Sequence, residues 1–165
     1  MLTLRRCLPK SDRLLSTVAL ILSLFTLPAS ADNLRETAER SGSFKTFLSA
    51  AKTAGILGEL ESRPALTLFL PTDTAFTQLP EGQWESITRD RKRLGEVLRY
   101  HMVPGRMKVT EVKPGLTKTL AGSELSLKSD NGMVTVNGAR VTESDLLADN
   151  GIVHGIDQVL MPPQQ

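Results

Sequence analysis

The sequence predicts an α+β domain with a helical first half and a β-rich second half, and two observations along its 165 residues predict it. Before Gly105 the apolar residues recur with a helical period, and after it they come in short alternating or continuous runs. The joints of the second half carry Asn131-Gly132, Asn137-Gly138 and Asn150-Gly151. Asn-Gly accepts the positive φ of tight hairpin turns, so three such pairs within about twenty residues point to an antiparallel meander.

The first element reads as an export signal. Arg5, Arg6, Lys10 and Arg13 form a basic start, Leu14 to Leu27 is an apolar run, and Ala29-Ser30-Ala31 is a small-x-small cleavage site. The run is shorter than the ~20 residues that span a bilayer, which favours a removed signal over an anchor. Residues 1–31 are therefore expected to leave, giving a secreted or periplasmic chain that begins at Asp32 and has no membrane span. Cys7, the one cysteine, leaves with them, which excludes disulfides, thiol nucleophiles and cysteine-held metals. Losing the four basic groups and Asp12 turns the formal charge of +2 into about −1. Overall charge thus gives no reason to expect nucleic acid or an anionic membrane as partner.

From Asn33 to about Glu61 the chain reads as helical, with Phe44, Phe47, Leu48 and Ala51 on one stripe and Gly55 and Gly58 closing it. Ala65 to Leu70 reads as a strand buried on both faces and stopped by Pro71. Thr72 or Asp73 then stands where a short following helix needs a cap, with Phe76 and Leu79 turned to the core. A second long helix is expected from Asp90 to His101, carrying Leu94, Val97, Leu98 and His101 on one face and ended by Pro104-Gly105. Leu125/Leu127, Met133 to Val136, Val141 and Ile152 to Leu160 mark the strands of the meander.

Three segments carry a family resemblance: Thr67-Leu-Phe-Leu-Pro-Thr-Asp-Thr-Ala-Phe76, Arg99-Tyr-His-Met-Val-Pro-Gly105 and Asn150-Gly-Ile-Val-His-Gly-Ile-Asp-Gln-Val-Leu-Met-Pro162. In that order they resemble the conserved stretches of the fasciclin-like (FAS1) domain. The resemblance runs from about Leu34 to Pro162 and implies one domain over residues 32–162 with a tail at 163–165. It also implies a helical N-terminal half packed on an antiparallel β-sandwich or meander. The implied work is that of an extracellular adhesion or matrix-binding module without catalysis or cofactor. Its partner would be a protein or glycan of a matrix, envelope or cell surface. Tyr100-His101 matches a Tyr-His pair linked to integrin binding in some animal members.

Read physically, His101 extends an apolar helix stripe and His154 shares a strand face with Ile152 and Ile156, so both are expected inside with paired ring nitrogens. A direct partner contact is the functional alternative for His101. Tyr100 lies at the edge of the stripe, and Asp157 is placed to cap a turn or pair with a cation. No metal-binding, nucleophile-elbow or nucleotide-loop motif occurs, and Asp130-Asn131-Gly132 and Asp149-Asn150-Gly151 lack the further acids of a calcium loop. Arg89, Arg91, Lys92, Arg93 and Arg99 form either a solvated helix face or a patch for an acidic polysaccharide or protein. One Trp and one Tyr are few aromatics for stacking bases, so nucleic acid is not expected. Some fasciclin-like proteins carry carotenoids, which implies a second reading as a carrier of an apolar molecule such as a carotenoid or lipid. Met102, Val103, Met107 and Val109 are the candidate lining.

Overall fold

A computed structural model describes residues 32–163, and the export segment read at residues 1–31 lies outside the described part. The helical stretch is three helices: α1 (Leu34–Ser41), α2 (Lys45–Ala54) and α3 (Leu57–Ser62). Asn33 opens α1 with a capping box, its side chain accepting from the Glu36 N–H at 3.0 Å while the Glu36 carboxylate accepts from the Asn33 N–H. Gly42, with φ 74°, ends it. Gly55 ends α2 in the same left-handed conformation, whereas Gly58 lies inside α3.

The strand β1 (Leu66–Pro71) follows, buried at every position. The short α4 (Asp73–Thr77), α5 (Gln83–Arg89) and α6 (Arg91–Tyr100) come next. Asp90 caps α6 by accepting from the Lys92 and Arg93 N–H groups. The expected helix ends at Tyr100, with His101 as its cap; Met102–Pro104 is the strand β2, and Pro104-Gly105 ends that strand. A 3₁₀ turn (Val109–Glu111) leads into β3 (Gly115–Lys118), β4 (Glu124–Asp130), β5 (Met133–Val136), β6 (Ala139–Ala148) and β7 (Gly151–Ile156).

The seven strands run in the order β2-β1-β7-β6-β5-β4-β3. All neighbours are antiparallel except β1 and β7, so the sheet is mixed where the sequence predicted an antiparallel one. The Asn131-Gly132 and Asn137-Gly138 hairpins have positive φ at both residues, as the twist of flanking strands requires. The pair Asn150-Gly151 joins β6 to β7 without positive φ at either residue.

Long β6 changes partner along its length. Ala139 and Arg140 pair with β5, residues from Val141 onward pair with β7, and register shifts separate Val141, Glu143 and Leu146. Bulges of this kind bend a strand, and here they let the two halves of the sheet enclose a core of their own. Phe69, Val103 and Ile156 from one half meet Leu125, Leu127, Val134, Val136 and Ala139 from the other. The opposite face of β1, with Leu66, Leu68 and Leu70, packs on Leu34, Phe44, Phe47, Leu60, Leu94 and Leu98 of the helical half.

Strand β1 thus separates two cores, and truncating it opens one of them. Phe69→Ala is expected to cost about 3–5 kcal/mol, measured by denaturant unfolding, and a loss below about 1 kcal/mol would contradict its position. Gly151→Ala is expected to be at least as damaging for a different reason. A Cβ there would overlap the Leu66 carbonyl oxygen and lie 2.9 Å from the Leu34 side chain, so either α1 or β1 must move.

Candidate functional site

Asp73 is the first motif residue whose geometry departs from its expected role. Its carboxylate accepts the Thr46 N–H at 2.8 Å, and its own N–H donates to the Ser43 carbonyl at 2.9 Å. It therefore caps α2, a helix about thirty residues earlier, and not α4, whose own cap position Thr72 makes no side-chain cap bond. The N-terminus of α2, with buried Phe44 at the cap position, has no local side-chain acceptor and finds one across the fold. Phe76 is half-buried and meets Trp84 edge-on with ring centres 4.6 Å apart.

Tyr100 and His101 diverge into different cores. The Tyr100 hydroxyl donates to the Glu124 carbonyl at 3.0 Å and accepts from the Asn137 amide at 2.7 Å, tying α6 to β4 and the β5–β6 turn. The His101 ring lies in the helical core, edge-on to Phe47. Its Nδ1 lies 2.8 Å from the Val97 carbonyl, an acceptor only, so Nδ1 carries the proton; Nε2 then accepts the Leu160 N–H at 3.0 Å. His154 uses the other tautomer. Its Nε2 donates to the Met107 carbonyl at 2.7 Å, and its Nδ1 accepts the Asp145 N–H at 3.2 Å while the ring stacks on Phe69. Both rings are neutral joints between backbone segments, with no nitrogen left for a substrate or metal. Burial pushes the His101 ring down to about 4 against a weaker upward pull from Val97, and burial likewise lowers His154. Asp157 accepts the Arg140 N–H at 2.8 Å and donates its own N–H to the Arg140 carbonyl, closing the start of β6.

Sequence reasoning missed three residues of the same kind. Thr67, buried in β1, donates to the Gly105 carbonyl and accepts from the Met107 N–H; a hydroxyl in an apolar strand was the available signal. Asp145, with φ 55°, accepts the Val109 N–H from within the bulge of β6. Asn150 accepts the Leu34 N–H at 2.8 Å and donates to the Leu60 carbonyl at 2.6 Å, holding the start of α1 against the end of α3. Its Asn-Gly context pointed only to a turn.

The basic run divides. Arg99 belongs to a bidentate pair with Glu59 of α3, its Nη2 2.5 Å from Oε1 and its Nε 3.3 Å from Oε2, which lowers the Glu59 carboxyl and raises the Arg99 guanidinium. Arg89, Arg91, Lys92 and Arg93 are exposed and make no ion pair among the described residues. The apolar candidates divide too. Met102 and Val103 are fully enclosed, in the helical core and the sheet core respectively, because successive residues of β2 point to opposite faces. Met107 and Val109 are half-buried over the second core, so the four side chains line no common groove. Among the described residues, no group of three or more His, Cys, Asp or Glu is placed to hold a metal, and no helix is long and apolar enough to cross a membrane.

The family described as Fasciclin domain matches residues 42–162. The chain belongs to the fasciclin-domain family. It is 38% identical over 136 residues to Protein sll1483 of Synechocystis sp., an alignment covering 81% of this chain and 76% of that one. It is 36% identical over 134 residues to human periostin, across 79% of this chain but only 16% of periostin. Cell surface glycolipoprotein MPB83 of Mycobacterium bovis is 33% identical over 99 residues, 60% of this chain and 44% of its own. The structure of a FAS1 domain pair from the insect cell adhesion molecule fasciclin I matches with a TM-score of 0.60 at 20% identity, over 76% of this chain and 47% of that one, which shows a shared fold. The chain is thus a fasciclin domain with the fold of that pair's domains.

Buried neutral histidines make the fasciclin domain acid-sensitive. His101 is ordinarily half-protonated near 6.5 but near 4 in the fold, so the unfolded chain takes up this proton first. Its contribution of about 3 kcal/mol is complete above pH 6.5, declines as pH falls toward 4 and is gone below that. His154, lowered in the same direction, adds to the loss. Denaturant unfolding of His101→Gln between pH 7 and 4 is expected to show a shallower decline than the parent, whereas equal slopes would contradict the buried neutral ring.

Proposed function

We propose that this fasciclin domain is exported to the periplasm or cell exterior and acts there as a binding module. It recognises an acidic glycan or acidic protein of a matrix, envelope or cell surface through the basic face of α5 and α6. The observation that carries this reading is the state of four cations. Arg89, Arg91, Lys92 and Arg93 stand exposed and form no ion pair among the described residues, while Arg99 of the same run is taken up by Glu59. Guanidinium groups offer forked hydrogen bonds to carboxylate and sulfate, and a solvated cation cluster on a chain of slightly negative mature charge is a local feature, not a reflection of bulk composition. The family supports surface recognition without turnover, and MPB83 is a cell-surface protein by its name. The signal-like segment at residues 1–31 supports export.

Two measurements test this. The mass of the protein recovered from its source is expected to correspond to a chain beginning at Asp32; an intact Met1 start would contradict processing. Binding to the envelope or matrix fraction of the same source is expected to weaken steeply with salt and to fall about tenfold or more in Arg91→Glu/Arg93→Glu, both surface positions. Binding that is indifferent to both changes would remove the basic face as the contact.

A further inference from the structure

Helices α2 and α5 border an open groove of about 350 Å³ lined by Lys45, Thr46, Ser49, Ala50, Thr53, Trp84 and Thr88. Its composition differs from that of the two larger clefts. One, of about 680 Å³ beside Met161–Pro163, carries Asp90 and Glu96 opposite Lys92 and Arg93, and the other, of about 420 Å³ at the bend of β6, sets Asp157 against Arg140. The α2–α5 groove has a single cation, no carboxylate, an indole, and four hydroxyl side chains. Trp84 is the chain's one tryptophan, and Phe76 stands edge-on behind it.

We infer that this groove binds a sugar residue bearing a carboxylate, a uronic acid unit of a polysaccharide, with Trp84 as its stacking surface and Lys45 as its charge partner. A sugar ring has one apolar C–H face and a rim of hydroxyls, so it needs an aromatic body beside short polar groups. The groove provides that arrangement through the helical period. Lys45, Ser49 and Thr53 recur four apart on α2, and Trp84 and Thr88 recur four apart on α5, so each helix turns one continuous row toward the gap. Thr53 and Thr88 each donate their hydroxyl proton back to a carbonyl of their own helix, at 3.0 Å, which leaves their oxygens as acceptors for sugar hydroxyls. Lys45 is exposed and makes no ion pair among the described residues. Asp73, at the same end of α2, is held by the Thr46 N–H. The lone uncompensated cation selects an acidic sugar over a neutral one. This site rests on the groove alone and does not require the basic face of α5 and α6.

The single tryptophan makes the test direct, because all indole fluorescence comes from the proposed site. Titration of the purified chain with an oligogalacturonate is expected to change Trp84 emission saturably, with a neutral oligosaccharide of equal length at least about tenfold weaker. Lys45→Glu and Ser49→Glu, both at exposed positions, are expected to weaken the acidic oligomer about tenfold or more while leaving the thermal unfolding midpoint within a few degrees. An emission change equal for both sugars, one insensitive to either substitution, or none at millimolar oligomer would each overturn the proposal. Arg91→Glu/Arg93→Glu separates the two surfaces. A retained emission change with lost envelope binding supports the groove independently of the basic face, and loss of the emission change in that variant alone would assign the sugar to the basic face instead.

Discussion

The parallel pairing of β1 with β7 is the constraint on which the rest of the domain depends. It joins the first and last motif segments in a six-position register from Leu66 opposite Gly151 to Pro71 opposite Ile156. Both cores lie against this pair, and the segments that leave it are tied back to it. Gly151 lets the Leu66 carbonyl and the Leu34 side chain come close, and Gly155 does the same for the Phe44 ring, so two small residues on one strand admit both α1 and the start of α2. His154 then fixes the Met107 segment, and Asn150, just before the strand, fixes α1 and α3. Pairing strands more than eighty residues apart closes a long loop before it is rewarded, so these tertiary hydrogen bonds and packing contacts have to act together.

Local chemistry was readable from the sequence wherever one segment determines its own state. The stripe of α6, the doubly buried β1 and the two Asn-Gly hairpins all follow from residues within a few positions of one another. Features set by a distant partner were not readable in this way. Asp73 has the right spacing to cap α4, yet α2 lacks an acceptor of its own and takes it. Arg99 belongs to a basic run by sequence, but the face of α6 turns it to Glu59. Likewise Met102 and Val103 looked like one apolar surface, whereas strand geometry sends them into opposite cores. The mixed direction of the sheet is the largest such difference, because no periodicity distinguishes a parallel neighbour from an antiparallel one.

A consistent division follows between residues that carry the family resemblance and residues free for recognition. Asp73, Tyr100, His101, His154 and Asp157 all bond to backbone groups, and altering any of the first four leaves a buried or half-buried donor or acceptor without its partner. Such positions hold segments in place, and their chemistry is used up in doing so. The helical exterior carries the opposite character, with cations that form no ion pair among the described residues and, at the rim of the α2–α5 groove, hydroxyls beside a half-buried indole. One scaffold can therefore present different outer surfaces without disturbing its joints.

Mapping amide and imidazole NMR shifts of the isotopically labelled domain, as a bound envelope or matrix glycan is titrated in, tests this division most directly. Perturbations are expected to concentrate on the outward positions of α2, α5 and α6, with the ring nitrogens of His101 and His154 unchanged. Shifts centred on Tyr100, His101 or His154 would contradict the division, because they would make the interior joints themselves the recognition site.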